Sequence, residues 1–229
     1  MNASTTGLRR PDIPRYDDPP IGLGLRLVEA PLVVATEATL RGYGRLVEDP
    51  AACEIQIVRW PAQGTRPVDP DCGDEGGVTE GEFASAWRDG RLHGANAAVG
   101  GAYVIGLASR PDAEDGGGPG RRVLLWHANY HPDGGQMFFP RRRAPFVVPM
   151  ALPGDDVRPE YFVNFWFDGT RGLYMHPNVW HEGVFPCGSE GAFLDRQGAV
   201  HARVSCEFPR EFGCLLSCAL PLERPVSSH

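Results

Sequence analysis

The sequence predicts an all-β domain, a sandwich or barrel with one or two short helices, and three observations carry that expectation. Short apolar, β-branched segments recur at roughly regular spacing along the chain. Glycine and proline, 29 and 22 of 229 residues, punctuate them as many turns would require. There is no alternation of strand and helix patterns, and no repeat of about 20–50 residues. A hydrophobic content of 42% is ample for a core, so the Gly and Pro content reads as turns rather than disorder.

The elements follow in order. Residues 1–20 are polar and proline-containing and are expected to form a flexible arm; 21–229 are expected to form one domain. Residues 21–34 are strand-like. Residues 37–48 (EATLRGYGRLVE) predict a short helix ended by glycine, then a return to strand. Residues 54–60 (EIQIVRW) predict a strand, with Ile55 and Ile57 alternating with Gln56 and Val58. Residues 61–81 form a long polar loop of the kind that serves as a lid or binding loop. Strands are expected at 83–87, 92–96 and 102–107, and a surface loop at 110–122. In the second half, 123–130, 137–140 and 145–152 predict strands, with a turn at 131–136. For 159–167 (PEYFVNFWF) a helix is favoured over a strand, because Pro159 suits a first turn and Asp155 or Asp156 stands ready to cap it. Strands at 172–175, 179–185, 193–195 and 200–208, and around Leu215, complete the domain.

Composition removes several function classes. A formal charge of −7 and a pI near 5.5 argue against nucleic-acid or anionic-membrane binding. All 22 basic residues are arginine. With no lysine, Schiff-base chemistry, lysine-bound pyridoxal phosphate and a Walker-type phosphate loop are ruled out. No apolar run reaches the roughly 18 residues needed to span a bilayer, and the N-terminal residues lack a signal-peptide-like apolar core. A soluble, cytoplasmic protein is expected. The six cysteines form no CxxC pair. Along a strand, Cys214 and Cys218 would lie about 13 Å apart, too far for a disulfide. Reduced thiols packed as small hydrophobes are expected, and no structural zinc site.

Four of the seven histidines fall between 127 and 181, in the most aromatic part of the chain. On a strand, His127, Asn129 and His131 share one face, while Trp126, Ala128 and Tyr130 share the other. Gln136 follows the turn Pro132-Asp133-Gly134-Gly135, and a second cluster holds His176, His181 and Glu182. His176 is weighed between the site and a turn; His93 and His201 are assigned to surface or core, and His229 is terminal. The aromatic residues are assigned to the core, and Arg141-Arg142-Arg143 to a solvated turn.

The spacing Asn129-x-His131-x4-Gln136, followed later by His181, resembles the metal motifs of cupins, with amides at two of the four ligand positions. Neutral amides bind transition metals weakly, and His127 would add a third nitrogen if its strand bulged. A closer resemblance lies in the same residues. HPDGGQMFFP (131–140) and YMHPNVWHEGVF (174–185) resemble the signatures of the ureidoglycolate lyase family. FVVPMALPGDD (146–156), FDGTRGLYMH (167–176), LRGYGRLVE (40–48) and FLDRQG (193–198) resemble that family's other segments, in order. The resemblance runs over about residues 25–220 and is weak across 52–120, where the chain carries an insertion.

The resemblance implies a cupin-like β-barrel (double-stranded β-helix or jelly roll), usually a homodimer, acting in purine catabolism by splitting ureidoglycolate into glyoxylate and urea. It places His131, Gln136 and His181 in the pocket. Glu182 stands where the family has a second histidine, Asn129 where an acidic residue is common, and His127 is extra. The 61–81 and 110–122 loops have no counterpart.

Ureidoglycolate is a hemiaminal, so cleavage needs a base for its hydroxyl proton, an acid for the departing urea nitrogen, and a group to hold its carboxylate. Histidine suits either proton role. His131 and His181 are expected as bases or metal ligands, Gln136 as an orienting amide and Glu182 as an acid/base partner. A divalent metal (Ni, Mn, Fe or Zn) on His131, Gln136, His181 and His127 would acidify the hydroxyl. Two other readings stand beside this one. One is a metal-dependent cupin oxygenase or isomerase; the other is a non-enzymatic cupin that binds a small acid.

Overall fold

The computed structural model describes residues 24–59, 61–62, 64–70, 72, 76–109 and 121–225. The expected arm at 1–20 and most of the 110–122 loop lie outside these. The strands, in chain order, are β1 (Arg26–Glu29), β2 (Leu32–Val34), β3 (Gly44–Val47), β4 (Val78–Arg88), β5 (Arg91–Asn96), β6 (Ala102–Ala108), β7 (Arg122–Leu125), β8 (His127–Tyr130) and β9 (Gln136–Pro140). They continue with β10 (Phe146–Ala151), β11 (Val163–Phe167), β12 (Gly172–Met175), β13 (Trp180–His181), β14 (Phe185–Pro186), β15 (Glu190–Gly198), β16 (Val204–Glu207) and, after the helix α1 (Phe208–Phe212), β17 (Cys214–Ala219).

These strands form two sheets. One runs β1-β17-β7-β6-β5-β4-β15-β9-β12-β3, and the other β16-β8-β13-β10-β11-β2, with β14 pairing to β10. A continuous apolar core takes Phe83, Leu92, Phe138 and Phe193 from the first sheet and Phe146, Val148, Phe165 and Val204 from the second. The architecture is the all-β, cupin-like sandwich that the sequence predicts. α1 is a single short helix, with Pro209 in its first turn and Gly213 closing it at φ 61.

The antiparallel run β4-β5-β6-β7 stands in the first sheet between β15 and β17. Its first three strands fall in the stretch where the resemblance is weak. The loop expected at 61–81 gives way to strand at Val78, because β4 pairs β15 from Val78 through Ala86.

Three local expectations are corrected. Residues 159–167 are not a helix. Pro159 opens only a 3-10 turn through Tyr161, without a side-chain cap, and Val163–Phe167 is a strand held between β10 and β2. Asp155 is occupied with Thr65, and β-branched and aromatic residues suit a central strand. Residues 37–43 form turns rather than a helix, and the expected return to strand follows at β3. The helical bonds stop at Leu40 N–H to the Thr36 carbonyl and Gly44 N–H to the Leu40 carbonyl, with Gly42 at φ 87 between them. Of the strand expected at 54–60, the described residues 54–59 contribute one bridge, Ile57 to Gly134, and Trp60 lies outside the described residues. This segment pins the 131–135 turn instead of an extended neighbour: Val58 N–H donates to the Asp133 carbonyl and Gly135 N–H to the Gln56 carbonyl.

All six cysteines are free thiols, and five of them are buried. Among the described residues no helix is long and apolar enough to cross a membrane.

Candidate functional site

Strand alternation and register converge on one place between the sheets. On β8, Asn129 faces inward opposite His181 of β13. On the other sheet, Gln136 of β9 is in register with Gln197 of β15. Along β15, Phe193, Asp195 and Gln197 all turn inward and are buried. The result is a small cavity of about 60 Å3, lined among others by Asn129, His131, Gln136, His181, His201 and Arg203.

Three imidazoles meet there. The His131 ring centroid lies 5.2 Å from that of His181 and 4.5 Å from that of His201. Each ring is oriented by a hydrogen bond at Nδ1. His131 donates to the Ala202 carbonyl at 2.9 Å, His181 to the Val179 carbonyl at 2.8 Å, and His201 to Gln197 Oε1 at 2.8 Å. His181 Nε2 lies 3.2 Å from Gln136 Oε1. Behind the rings, Asp195 is fully buried. It accepts N–H bonds from Gln136 at 3.0 Å, Asn96 at 2.7 Å and Gln197 at 2.7 Å.

The electrostatics follow from burial. Burial, with help from the neighbouring His201 and His181, holds His131 well below the usual histidine pKa. Burial also lowers His181, and burial with Arg203 brings His201 down to about 4. In the opposite sense, burial lifts Asp195 to about 6, against the pull of its three amide donors. At neutral pH the three rings are therefore mainly neutral and Asp195 is ionised. Asn129 Oδ1 is a buried oxygen without a protein hydrogen-bond partner, and it sits on a residue that lines the cavity.

The residues singled out from sequence fall as follows. His131, Gln136 and His181 come together. His127 and Glu182 are both buried and paired, with His127 Nδ1 2.8 Å from Glu182 Oε2; Glu182 also lines the cavity. His176 packs edge-on to Tyr174, outside the cavity lining. Sequence reasoning missed His201, Arg203, Asn96, Asp195 and Gln197. The signal for two of them was present in FLDRQG, where a strand puts Asp195 and Gln197 on one face with Phe193. His201, at φ 49, reaches the site through a left-handed backbone conformation that no spacing rule foresees.

The donor set does not fit a divalent metal as arranged. Among the described residues no group of three or more His, Cys, Asp or Glu is placed to hold a metal ion. His127 is committed to Glu182, the Gln136 nitrogen to Asp195, and the Gln136 oxygen to His181.

A wider depression of about 900 Å3 lies on the outer face of the first sheet, along Ala84, Ala86 and Ala95, with Arg88, Arg91 and Arg141 at its sides. Its lining carries Glu82, Arg88, Arg91, His93, Arg141, Arg142 and Glu190 but no residue of the two histidine motifs, whereas His131, Gln136, His181 and Glu182 all line the smaller cavity.

An all-β, cupin-like sandwich with a histidine-lined cavity between its sheets is the class of protein defined by fold and site. Residues 126–208, which contain His131, Gln136, His181 and Glu182, match the family model of ureidoglycolate lyase. The ureidoglycolate lyase of Azotobacter vinelandii is 41% identical over 71 residues, covering 30% of this chain and 43% of that protein. The enzyme of Salmonella enteritidis is 36% identical over 86 residues, covering 36% and 52%. An Escherichia coli enzyme is 32% identical over 84 residues, with the same coverage of 36% and 52%. The chain thus spans about half the length of the curated relatives it matches.

Proposed function

We propose that this protein is a carbon–nitrogen lyase that cleaves ureidoglycolate, or a related ureido or guanidino hydroxy acid, into an aldehyde acid and a urea-type product. The observation that carries this reading is the 5.2 Å approach of the His131 and His181 rings, two motif residues 50 positions apart, inside one small cavity. In the proposed reaction one imidazole removes the hydroxyl proton. The C–O bond becomes a carbonyl, the C–N bond breaks, its electron pair goes to nitrogen, and a second imidazole protonates that nitrogen. Each proton transfer contributes about 10²–10⁴-fold. Arg203, the arginine lining the cavity, holds the substrate carboxylate. Gln136 orients His181, and Glu182 supports His127 at the rim.

The test is release of glyoxylate and urea from ureidoglycolate by the purified protein. His131→Ala and His181→Ala should each lower kcat about 10²–10⁴-fold, and Arg203→Met should act mainly on KM. Absence of product across a panel of added metals would overturn the reading.

The same proposal includes homodimeric assembly, cytoplasmic location and a place in purine catabolism. Light scattering, fractionation and growth on purine nitrogen test these in turn. A divalent metal is the alternative route to an acidified hydroxyl, and with it an oxygenase or isomerase reading. It would require His131 and His181 to turn Nε2 toward the ion and Gln136 to release His181. Stoichiometric metal in protein purified without chelator would favour that alternative.

A further inference from the structure

We propose that Asp195 is a positioning residue that fixes the proton arrangement of His181 and His201 through two amide arms, and that His201 is a further catalytic histidine of the cavity. A carboxylate only accepts hydrogen bonds, so the carboxamides that touch Asp195 must present nitrogen to it. Gln136 Nε2 meets Asp195 Oδ1 at 3.0 Å and Gln197 Nε2 meets Asp195 Oδ2 at 2.7 Å. With both nitrogens committed, both amide oxygens are turned toward imidazoles: Gln136 Oε1 toward His181 Nε2 at 3.2 Å, and Gln197 Oε1 toward His201 Nδ1 at 2.8 Å. Asn96 donates to Asp195 from a third side at 2.7 Å, which holds the carboxylate in place.

Each amide oxygen demands a proton on the nitrogen it faces. His201 therefore carries its proton on Nδ1 and keeps its lone pair on Nε2. His131 takes the same tautomer independently, through the Ala202 carbonyl. His181 differs, since both of its nitrogens face carbonyl oxygens, Val179 at Nδ1 and Gln136 at Nε2. It is built to hold two protons, while burial makes the second easy to give up. The three rings thus divide the work: His181 donates, and His131 and His201 accept.

The tautomer assignment does not depend on the identity of the substrate; its catalytic consequence rests on the lyase reading. The experiment is 15N–1H correlation spectroscopy of 15N-histidine-labelled protein near pH 7.5. The native protein should show His131 and His201 protonated on Nδ1, and His181 with one proton shared between Nδ1 and Nε2. In Asp195→Asn, whose amide can donate as well as accept, the His181 proton should move toward Nδ1 and the His201 signal toward a mixed tautomer. His131, held by backbone, should not move. Gln197→Met should alter His201 alone, and it decides the question should Asp195→Asn fail to fold. An Nε2-protonated His201 in the native protein, or unchanged His181 and His201 signals in folded variants, would overturn the inference. On ureidoglycolate, Asp195→Asn should lower kcat about 10²–10⁴-fold with little change in KM. A native protein that releases no urea but shows the expected tautomers would sink the lyase reading and leave the positioning role standing.

Discussion

His127 Nδ1 lies 2.8 Å from Glu182 Oε2, and both side chains are buried. In the sequence resemblance to ureidoglycolate lyases these are two points of departure, Glu182 at an expected histidine and His127 as an extra one. The structure shows the two departures to be one unit. A histidine at 182 would leave His127 facing another imidazole, and a residue without a nitrogen at 127 would leave the Glu182 carboxylate buried without this partner.

That pairing predicts strong coupling. Glu182→Ala should destabilise the protein by about 1–3 kcal/mol, because it removes the acceptor at His127 Nδ1. Glu182→Gln should cost less, since an amide oxygen still accepts from Nδ1. A double-mutant cycle with His127→Ala should give a coupling energy of about 1 kcal/mol or more. Additive losses in denaturant unfolding would show that the pair does not act as a unit.

The Gly134-Gly135 turn predicts a second outcome. A methyl group added at Gly135 would run into the Tyr174 hydroxyl and the Met175 carbonyl. Tyr174 cannot move freely, because its hydroxyl accepts the Gln56 N–H. Gly135→Ala should cost about 1–3 kcal/mol as an overpacked site, and it should displace Gln136, the next residue. Adding Tyr174→Phe should recover part of the loss. Full native stability of the single variant would contradict the close packing.

The titrating groups predict the pH profile of stability. His201 holds its proton only below about 4, whereas an unfolded histidine holds one up to about 6.5. Between these values the unfolded chain binds the extra proton, so stability rises with pH. His131 and His181, both lowered by burial, act in the same direction. Asp195, raised to about 6 from 3.8, acts oppositely, as does Asp133, also raised by burial. His176 is lowered by burial as well, so the lowered histidines outnumber the raised carboxyls and stability should rise with pH between about pH 4 and 6.5. Urea midpoints that stay flat or fall across that window would refute it.

Thiol reactivity supplies a fourth check. Burial pushes Cys187 up to about 12 and raises Cys206 and Cys218 as well. Cys53 and Cys214 are also buried, which leaves Cys72 as the half-buried cysteine. A thiol reagent should modify one site quickly in the native protein and the other five only on denaturation. Cys72→Ser should abolish the fast phase. A fast phase that survives this substitution would place reactivity elsewhere.

The sequence alone determined the fold class, because period-2 alternation and frequent Gly/Pro turns reflect local backbone preferences. It also determined the two histidine motifs, since short-range spacing puts Asn129 and His131 on one strand face and turns Gln136 back toward them. Tertiary structure decided the rest. Segment 163–167 became a strand because β10 and β2 flank it, against the helix-start signal of Pro159. Segment 54–59 lost its strand because its partner is a turn. Asp195 and Gln197 joined the site through the register of β15 against β9, which aligns Gln197 with Gln136 across 61 residues of chain, and His201 through the left-handed turn that follows β15. Pairing between distant strands is a property of the whole sheet, so no local pattern encodes which inward-facing polar residue will stand behind which histidine.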